Sequence, residues 1–250
     1  LSVKLVEVYK TYTFSENNVY ALRGINLHLE KGETAALTGP PGSGKTTLLN
    51  LIGALDKPSK GKIYVDDVDL TALKKLEQAT LRQRRIGFIL QAYNLIPVLT
   101  VYENVELPML AAGVPPKERE ARAKELLKTA ELTERMHHRP TELSRGEEQR
   151  VAILCALANR PAIVLADEPT GDLDPEAAKE VVQTLCDFSN REGTTVIMAT
   201  RDSSVAAMAS HVFEMNEGMI LKEHINAAAT SALNATVIVD SQTEINAYAQ

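Results

Sequence analysis

The chain has little with which to cross-link itself, span a bilayer or neutralise nucleic acid in bulk. Its 250 residues include two cysteines, Cys155 and Cys186, each inside a helical apolar pattern. That excludes a disulfide scaffold and a cysteine-built metal site, and predicts core filling. The longest apolar run, residues 151–158, falls far short of the ~20 residues that a membrane-spanning helix needs. A soluble protein without a secretion signal is expected. Lysine and arginine number 27 against 33 acidic residues, a net charge of −6, so the basic surface of a general nucleic-acid binder is missing. The cluster Arg82, Arg84, Arg85 is the main local exception and reads as a solvated helix end. No internal repeat is visible. A hydrophobic content of 44% still supplies a real core, for one large α/β domain or two small ones.

What is present centres on Gly39-Pro40-Pro41-Gly42-Ser43-Gly44-Lys45-Thr46-Thr47, which fits G-x-x-x-x-G-K-[ST] without a mismatch. Glycines at Gly39, Gly42 and Gly44 let the backbone curl, so that N–H groups there and at Ser43 converge on one anion beside the positive end of the following helix. Lys45 adds a charge that reaches the β- and γ-phosphates, and the Thr46 hydroxyl is placed to ligate Mg²⁺. Thr47 is a supporting contact. Residues 33–38 read as a buried strand and residues 46–52 as an apolar helix start, the strand–loop–helix order that the motif demands.

Around this loop, residues 3–12 and 21–29 alternate as two strands of a small antiparallel layer. Tyr12, at the end of the first, can stack on a base, although such a tyrosine is more often simply half-buried. Residues 61–66 predict a strand, residues 70–84 an amphipathic helix, and residues 86–91 a strand that delivers Gln91, whose side chain can ligand Mg²⁺, orient a water or merely face solvent. Three helices follow, starting at Thr100, at Pro115-Pro116 and at Ser144. The charge-dense stretch 117–128 reads as a solvated face, and His137 and His138 as surface residues. The apolar strand 162–166 delivers Asp167 and Glu168 at its carboxyl end, where parallel sheets hold their ligands. Asp167 would hold Mg²⁺ through its water shell and Glu168 would polarise the attacking water. A helix over residues 175–188 and a strand over residues 194–199, ending near Arg201, continue the alternation. Residues 227–250 read as a flexible tail in preference to a strand at Val237-Ile238-Val239.

In this order, the phosphate loop, Gln91, Leu143-Ser144-Arg145-Gly146-Glu147-Glu148-Gln149-Arg150, Leu165-Ala166-Asp167-Glu168 and Gly171-Asp172-Leu173-Asp174 make the chain resemble the ATP-binding-cassette ATPases, over about residues 3–222. The resemblance implies an α/β fold with a P-loop NTPase core, a mostly parallel sheet, a small antiparallel β layer and a helical subdomain at about residues 92–160. Residues 1–225 would be the nucleotide-binding domain and 226–250 a C-terminal tail. Within the family, Asn94-Leu95-Ile96-Pro97, Leu99-Thr100 and Glu103-Asn104-Val105-Glu106-Leu107-Pro108 look like the ATPases of lipoprotein-releasing and macrolide-exporting systems. That implies ATP and Mg²⁺ as cofactors, an integral-membrane permease docked near residues 91–108, and a peripheral location on the cytoplasmic face of the membrane. By the same resemblance Tyr12 stacks on adenine. Two cassettes would pair head to tail as a homodimer or with a related cassette, so that Ser144, Gly146 and Glu147 of one close over nucleotide held by the other, making two interfacial ATP sites. Nucleic acid is not an expected partner.

Two positions depart from the family pattern. Arg145 and Glu147 stand where the signature usually has Gly and Gln, so either closure over ATP is weakened or both side chains turn outward. Arg201 stands where a γ-phosphate-sensing histidine is usual; it can still attract the phosphate, or it can pair with Glu168 and take the base out of play. The leading expectation is a transport ATPase, possessed of slow turnover, with Glu168 as base, Lys45 and Arg201 as electrostatic stabilisers and Thr46, Gln91 and Asp167 around the metal. The alternative is an ATP-gated regulatory module with very low hydrolysis. A soluble cassette serving translation or DNA repair is a weaker third reading.

Overall fold

The computed structural model describes residues 2–14 and 17–226. Alternating residues at the start of the chain make two paired strands, β1 (Val3–Phe14) and β2 (Asn17–Leu29), antiparallel with Val3 opposite Leu29 and Tyr12 opposite Val19. The chain then enters the phosphate-loop unit, β3 (Thr34–Thr38) followed by α1 (Lys45–Ile52). Next come β4 (Lys60–Val65), the short β5 (Val68–Asp69), α2 (Lys75–Arg85) and β6 (Ile86–Ile89). The helical stretch holds α3 (Val101–Ala111), α4 (Pro116–Thr129) and α5 (Arg145–Leu157). The chain returns through β7 (Ile163–Asp167), α6 (Pro175–Glu192), β8 (Thr195–Ala199), α7 (Ser203–Ala206) and a terminal hairpin of β9 (His211–Asn216) and β10 (Met219–Ile225).

The strands form two sheets. One is antiparallel, in the order β2-β1-β4-β5; the other is β10-β9-β3-β8-β7-β6, parallel except for the edge strand β10. The central strands of the second are apolar on both faces, and each face has its own core. Leu37, Leu165 and Ile197 face the small sheet and α1, where Leu48, Leu51, Ile52, Leu5 and Ile63 meet them. Ala36, Val164 and Met198 face α3 to α6, against Val105, Leu126, Ile153 and Leu185. The helix that carries the phosphate loop is thereby clamped between two sheets, with Leu48, Leu51 and Ile52 almost wholly buried.

Helix starts agree with their caps. Thr100 Oγ1 accepts from the Glu103 amide and Ser144 Oγ from the Glu147 amide, each glutamate reaching back to its cap residue's N–H. Two expectations need correction. The helix expected over 70–84 begins at Lys75: the Asp69 carboxylate takes the Thr71 amide and hydroxyl in a tight turn, and Leu70 is buried against the small sheet. The stretch 117–128 is not uniformly solvated, because Arg122 is 4% exposed, donating to the Leu157 carbonyl and to Glu192. The hairpin β9–β10 and the strand β5 had no counterpart in the sequence reading. The expected tail and the strand at residues 237–239 lie outside the described residues.

Burial pushes the Cys155 thiol up to about 12 and Cys186 to about 11, so both stay protonated core groups. Among the described residues no helix is long and apolar enough to cross a membrane.

Candidate functional site

The loop between β3 and α1 adopts a shape that side chains would obstruct. Gly39 has φ +140°, and a Cβ there would lie 2.0 Å from the Met215 carbonyl oxygen; Gly44 caps α1 at φ +102°, with the Ala21 carbonyl oxygen 2.6 Å from its would-be Cβ. The terminal hairpin and β2 therefore bracket the loop. The Gly218 amide donates to the Ser43 carbonyl at 3.1 Å, and the Thr38 hydroxyl to the Phe213 carbonyl at 3.3 Å. Gly39→Ala is expected to cost about 1–3 kcal/mol of stability, measurable as a fall in the denaturation midpoint, because the opposing atom is backbone and cannot swing away.

The loop opens onto a cleft of about 480 Å³, a volume that suits a small molecule. Gly42, Ser43, Gly44, Lys45, Thr46 and Thr47 form its floor, Tyr12 one wall, and Gln91, Asp167, Glu168 and Arg201 the other. Four separate segments meet here because β3, β8, β7 and β6 are parallel neighbours that end on the same side, with Asp167 in register with Ala199. Val19, Tyr20 and Ala21 also line the cleft and were missed from sequence. Their signal was available: once residues 3–12 and 21–29 are paired as a hairpin, the residues facing Tyr12 enter the same wall.

Lys45 is 8% exposed, and its ammonium donates to the carbonyls of Gly39 and Pro40 at 2.8 and 3.0 Å and to Ser43 Oγ at 3.3 Å. Burial lowers its pKa, opposed by Glu168, with Arg201 adding to the lowering and Asp167 opposing it. Glu168 follows β7 at φ +49°, a left-handed conformation that is unusual for a glutamate. Arg201 Nε donates to Glu168 Oε1 at 2.8 Å, the second of the two roles the sequence left open for it. Tyr12 Oη donates to Asp56 Oδ2 at 2.9 Å. The exposed Thr46 hydroxyl, the Gln91 amide and the Asp167 carboxylate present an all-oxygen donor set, the chemistry that a hard divalent cation takes.

Ser144, Gly146 and Glu147 do not line this cleft. They lie in another, with Arg145, Asp172, Asp174 and Glu180. Glu147 Oε2 accepts from the Ser144 amide, and Oε1 pairs with Arg135 at 3.1 Å. The Ser144 backbone and hydroxyl, with Arg135, outweigh burial and hold this carboxyl below its ordinary range. The unusual signature glutamate is thus the capping-box partner of Ser144, the residue that caps α5.

A family profile described as ABC transporter matches residues 22–171. The chain belongs to the ABC transporter family. The ABC transporter ATP-binding protein MJ0796 of Methanocaldococcus jannaschii is 44% identical over 225 residues, 88% of this chain and 96% of that protein. The macrolide export ATP-binding/permease protein MacB of Marinobacter nauticus is 42% identical over 221 residues, 88% of this chain but 34% of its own length. This cassette thus spans about a third of the MacB-type relatives that it matches. A solved dimeric structure of MJ0796 in a post-hydrolysis state, bound to ADP and Pi, superposes with a TM-score of 0.81 at 42% identity, covering 89% of this chain and 98% of that one. The chain is the ATP-binding subunit of an ABC transporter, on a cassette fold, and family membership carries ATP hydrolysis with it. The regulatory-module reading and that of a cassette serving translation or DNA repair are not favoured.

Proposed function

We propose that this ABC ATPase binds ATP with Mg²⁺ in the cleft, hydrolyses it slowly, and transmits ATP-driven pairing of two cassettes to a permease of the lipoprotein-release or macrolide-export kind. The observation that carries it is the convergence of Lys45, Thr46, Gln91, Asp167, Glu168 and Tyr12 on one cleft. Residues 1–225 act as the nucleotide-binding domain, with a helical subdomain at about 92–160, and 226–250 as a tail. The subunit sits on the cytoplasmic face of the membrane and takes no nucleic acid partner.

Each residue has a distinct task. Tyr12 stacks on the base; the amides of the loop from Gly39 to Thr47 and the Lys45 ammonium hold the phosphates. Thr46, Gln91 and Asp167 hold the cation, which when bound neutralises charge on the β- and γ-phosphate oxygens. Glu168 takes the proton of the attacking water as the bond to the γ-phosphorus forms and that to the leaving oxygen breaks. Ser144 and Gly146, with Glu147 holding the cap, serve the site of a second chain, which explains why they face another cleft here. Purified protein is expected to hydrolyse ATP, to stop when EDTA removes the cation, and to pair on ATP binding in light scattering; ATP-independent mass with no turnover would sink the reading.

The ion pair between Arg201 and Glu168 underlies the slow step. Arg201 is 59% exposed and Glu168 17% exposed, so the pair is worth about 0–1 kcal/mol after solvent screening. Arg201→His is therefore expected to raise turnover by about two- to fivefold at pH 7.5, with the gain fading below the imidazole's pKa of about 6.5. Equal rates for native and variant would mean that arginine leaves the base unrestrained.

A further inference from the structure

Behind the tyrosine of the cleft wall lies a buried charge that the functional reading leaves without a task. Lys10 is 9% exposed, inside the small sheet. Its ammonium donates to Asp56 Oδ1 at 2.7 Å and to the Lys57 carbonyl at 2.8 Å, and stands 4.7 Å from the centroid of the Tyr12 ring. Asp56, in turn, accepts the Tyr12 hydroxyl on its other oxygen, at 2.9 Å, and the Lys57 amide at 2.7 Å. Thr47, in the first turn of α1, hydrogen-bonds to the same phenol. Tyr12 lines the cleft and Lys10 does not, so the buried ammonium belongs to the surroundings of the ring and not to the cleft.

We propose that Lys10 and Asp56 are positioning residues for base recognition, clamping Tyr12 so that its ring presents one fixed face to a purine. This rests on the reading of Tyr12 as the base platform. The two groups restrain different degrees of freedom: the carboxylate pins the hydroxyl end, and the ammonium packs beneath the ring and resists its tilting. The cation also draws π-electron density towards itself, leaving the ring's other face electron-poor and better suited to an electron-rich adenine. Through Thr47 in the first turn of α1 and Asp56 in the turn that follows it, whose amide bonds back to the Asn50 carbonyl, the platform is tied to the helix that carries the phosphate loop, so base and phosphates are gripped by one unit.

A purely structural ion pair between β1 and the end of α1 would not distinguish a ligand that has a base from one that lacks it. The test is calorimetric titration of ATP and of inorganic tripolyphosphate, each with Mg²⁺, into the native chain, Lys10→Met, Lys10→Arg, the charge-balanced Lys10→Met/Asp56→Asn and Tyr12→Ala. Lys10→Met and the double variant should bind ATP about three- to tenfold more weakly, keep tripolyphosphate affinity, and be rescued by arginine, which also serves as a cation over a ring. Equal losses for both ligands, or no loss for ATP in either variant, overturn the clamp. If Tyr12→Ala weakens ATP while the Lys10 variants do not, the clamp alone fails. If Tyr12→Ala leaves ATP affinity unchanged, the platform reading falls and the clamp with it.

Discussion

Replacing Glu168 by glutamine is expected to lower steady-state ATP turnover about 10²- to 10³-fold while leaving ATP affinity within about threefold of native. The argument is one of position and of what the substitution preserves. Glutamine keeps the volume and one carbonyl oxygen but cannot accept a proton, so an effect confined to the rate isolates proton transfer from binding. The side chain is held by a left-handed backbone at φ +49°, by its own amide donating to the Ala199 carbonyl at 2.9 Å and by Arg201 at 2.8 Å. These restraints act on the backbone and on a carboxyl oxygen that glutamine retains, so the geometry should survive. The Arg201 pair loses its charge in the variant. An amide oxygen holds the guanidinium less strongly than a carboxylate, leaving more of its charge for an anionic nucleotide, so any change in affinity should be a modest tightening. Stopped-time phosphate release with parallel calorimetry reads both quantities. A fall of less than tenfold would remove Glu168 from the role of base, and a fall with equally weakened binding would make it a structural residue instead.

How much of this was legible in sequence depends on how local the physics is. The phosphate loop could be read in full, because its shape is set within one short segment by its glycines and a single lysine. The caps at Thr100 and Ser144 were legible for the same reason, each hydrogen bond closing within three residues. Asp167 and Glu168 followed from the rule that parallel strands present ligand groups at their carboxyl ends. The pairing of Arg201 with Glu168 could only be named as one of two options, since whether two strand ends touch depends on strand order, and β7 lies beside β8. What stayed hidden is what long-range contact decides. Arg122 is buried because Glu192, seventy residues on, comes to meet it. The β9–β10 hairpin, whose turn supports Ser43, has short strands of mixed polarity and no signal of the strength of the flanking motifs. Lys10 carries no mark in the sequence, and its burial appears only when Asp56 and Tyr12 are folded around it.

Lys45→Met should weaken ATP binding about 10- to 150-fold with little change in the stability of the nucleotide-free chain. The first half follows from removing a charged donor to phosphate, worth about 1.5–3 kcal/mol. The second follows from the environment of the ammonium, which is buried but satisfied by Gly39, Pro40 and Ser43. Methionine gives up those three hydrogen bonds and equally gives up the cost of burying a charge, two terms of opposite sign and similar size. Thermal unfolding separates the two effects cleanly. At a free ATP concentration of 100 times the native Kd, binding stabilises the native chain by about 2.7 kcal/mol; a hundredfold weaker variant at that same concentration gains only about 0.4. The variant should therefore melt near the native apo temperature and barely respond to ATP. The depressed pKa of Lys45 adds a signed consequence. In the free protein the ammonium deprotonates at lower pH than an ordinary lysine, and phosphate, by favouring the charged form, raises that pKa again. ATP binding on the alkaline side should take up a proton, visible as a dependence of the calorimetric heat on buffer ionisation enthalpy, and Lys45→Met should abolish that dependence. Persistence of the ATP-induced melting shift in the variant would show that the loop amides alone hold the phosphates.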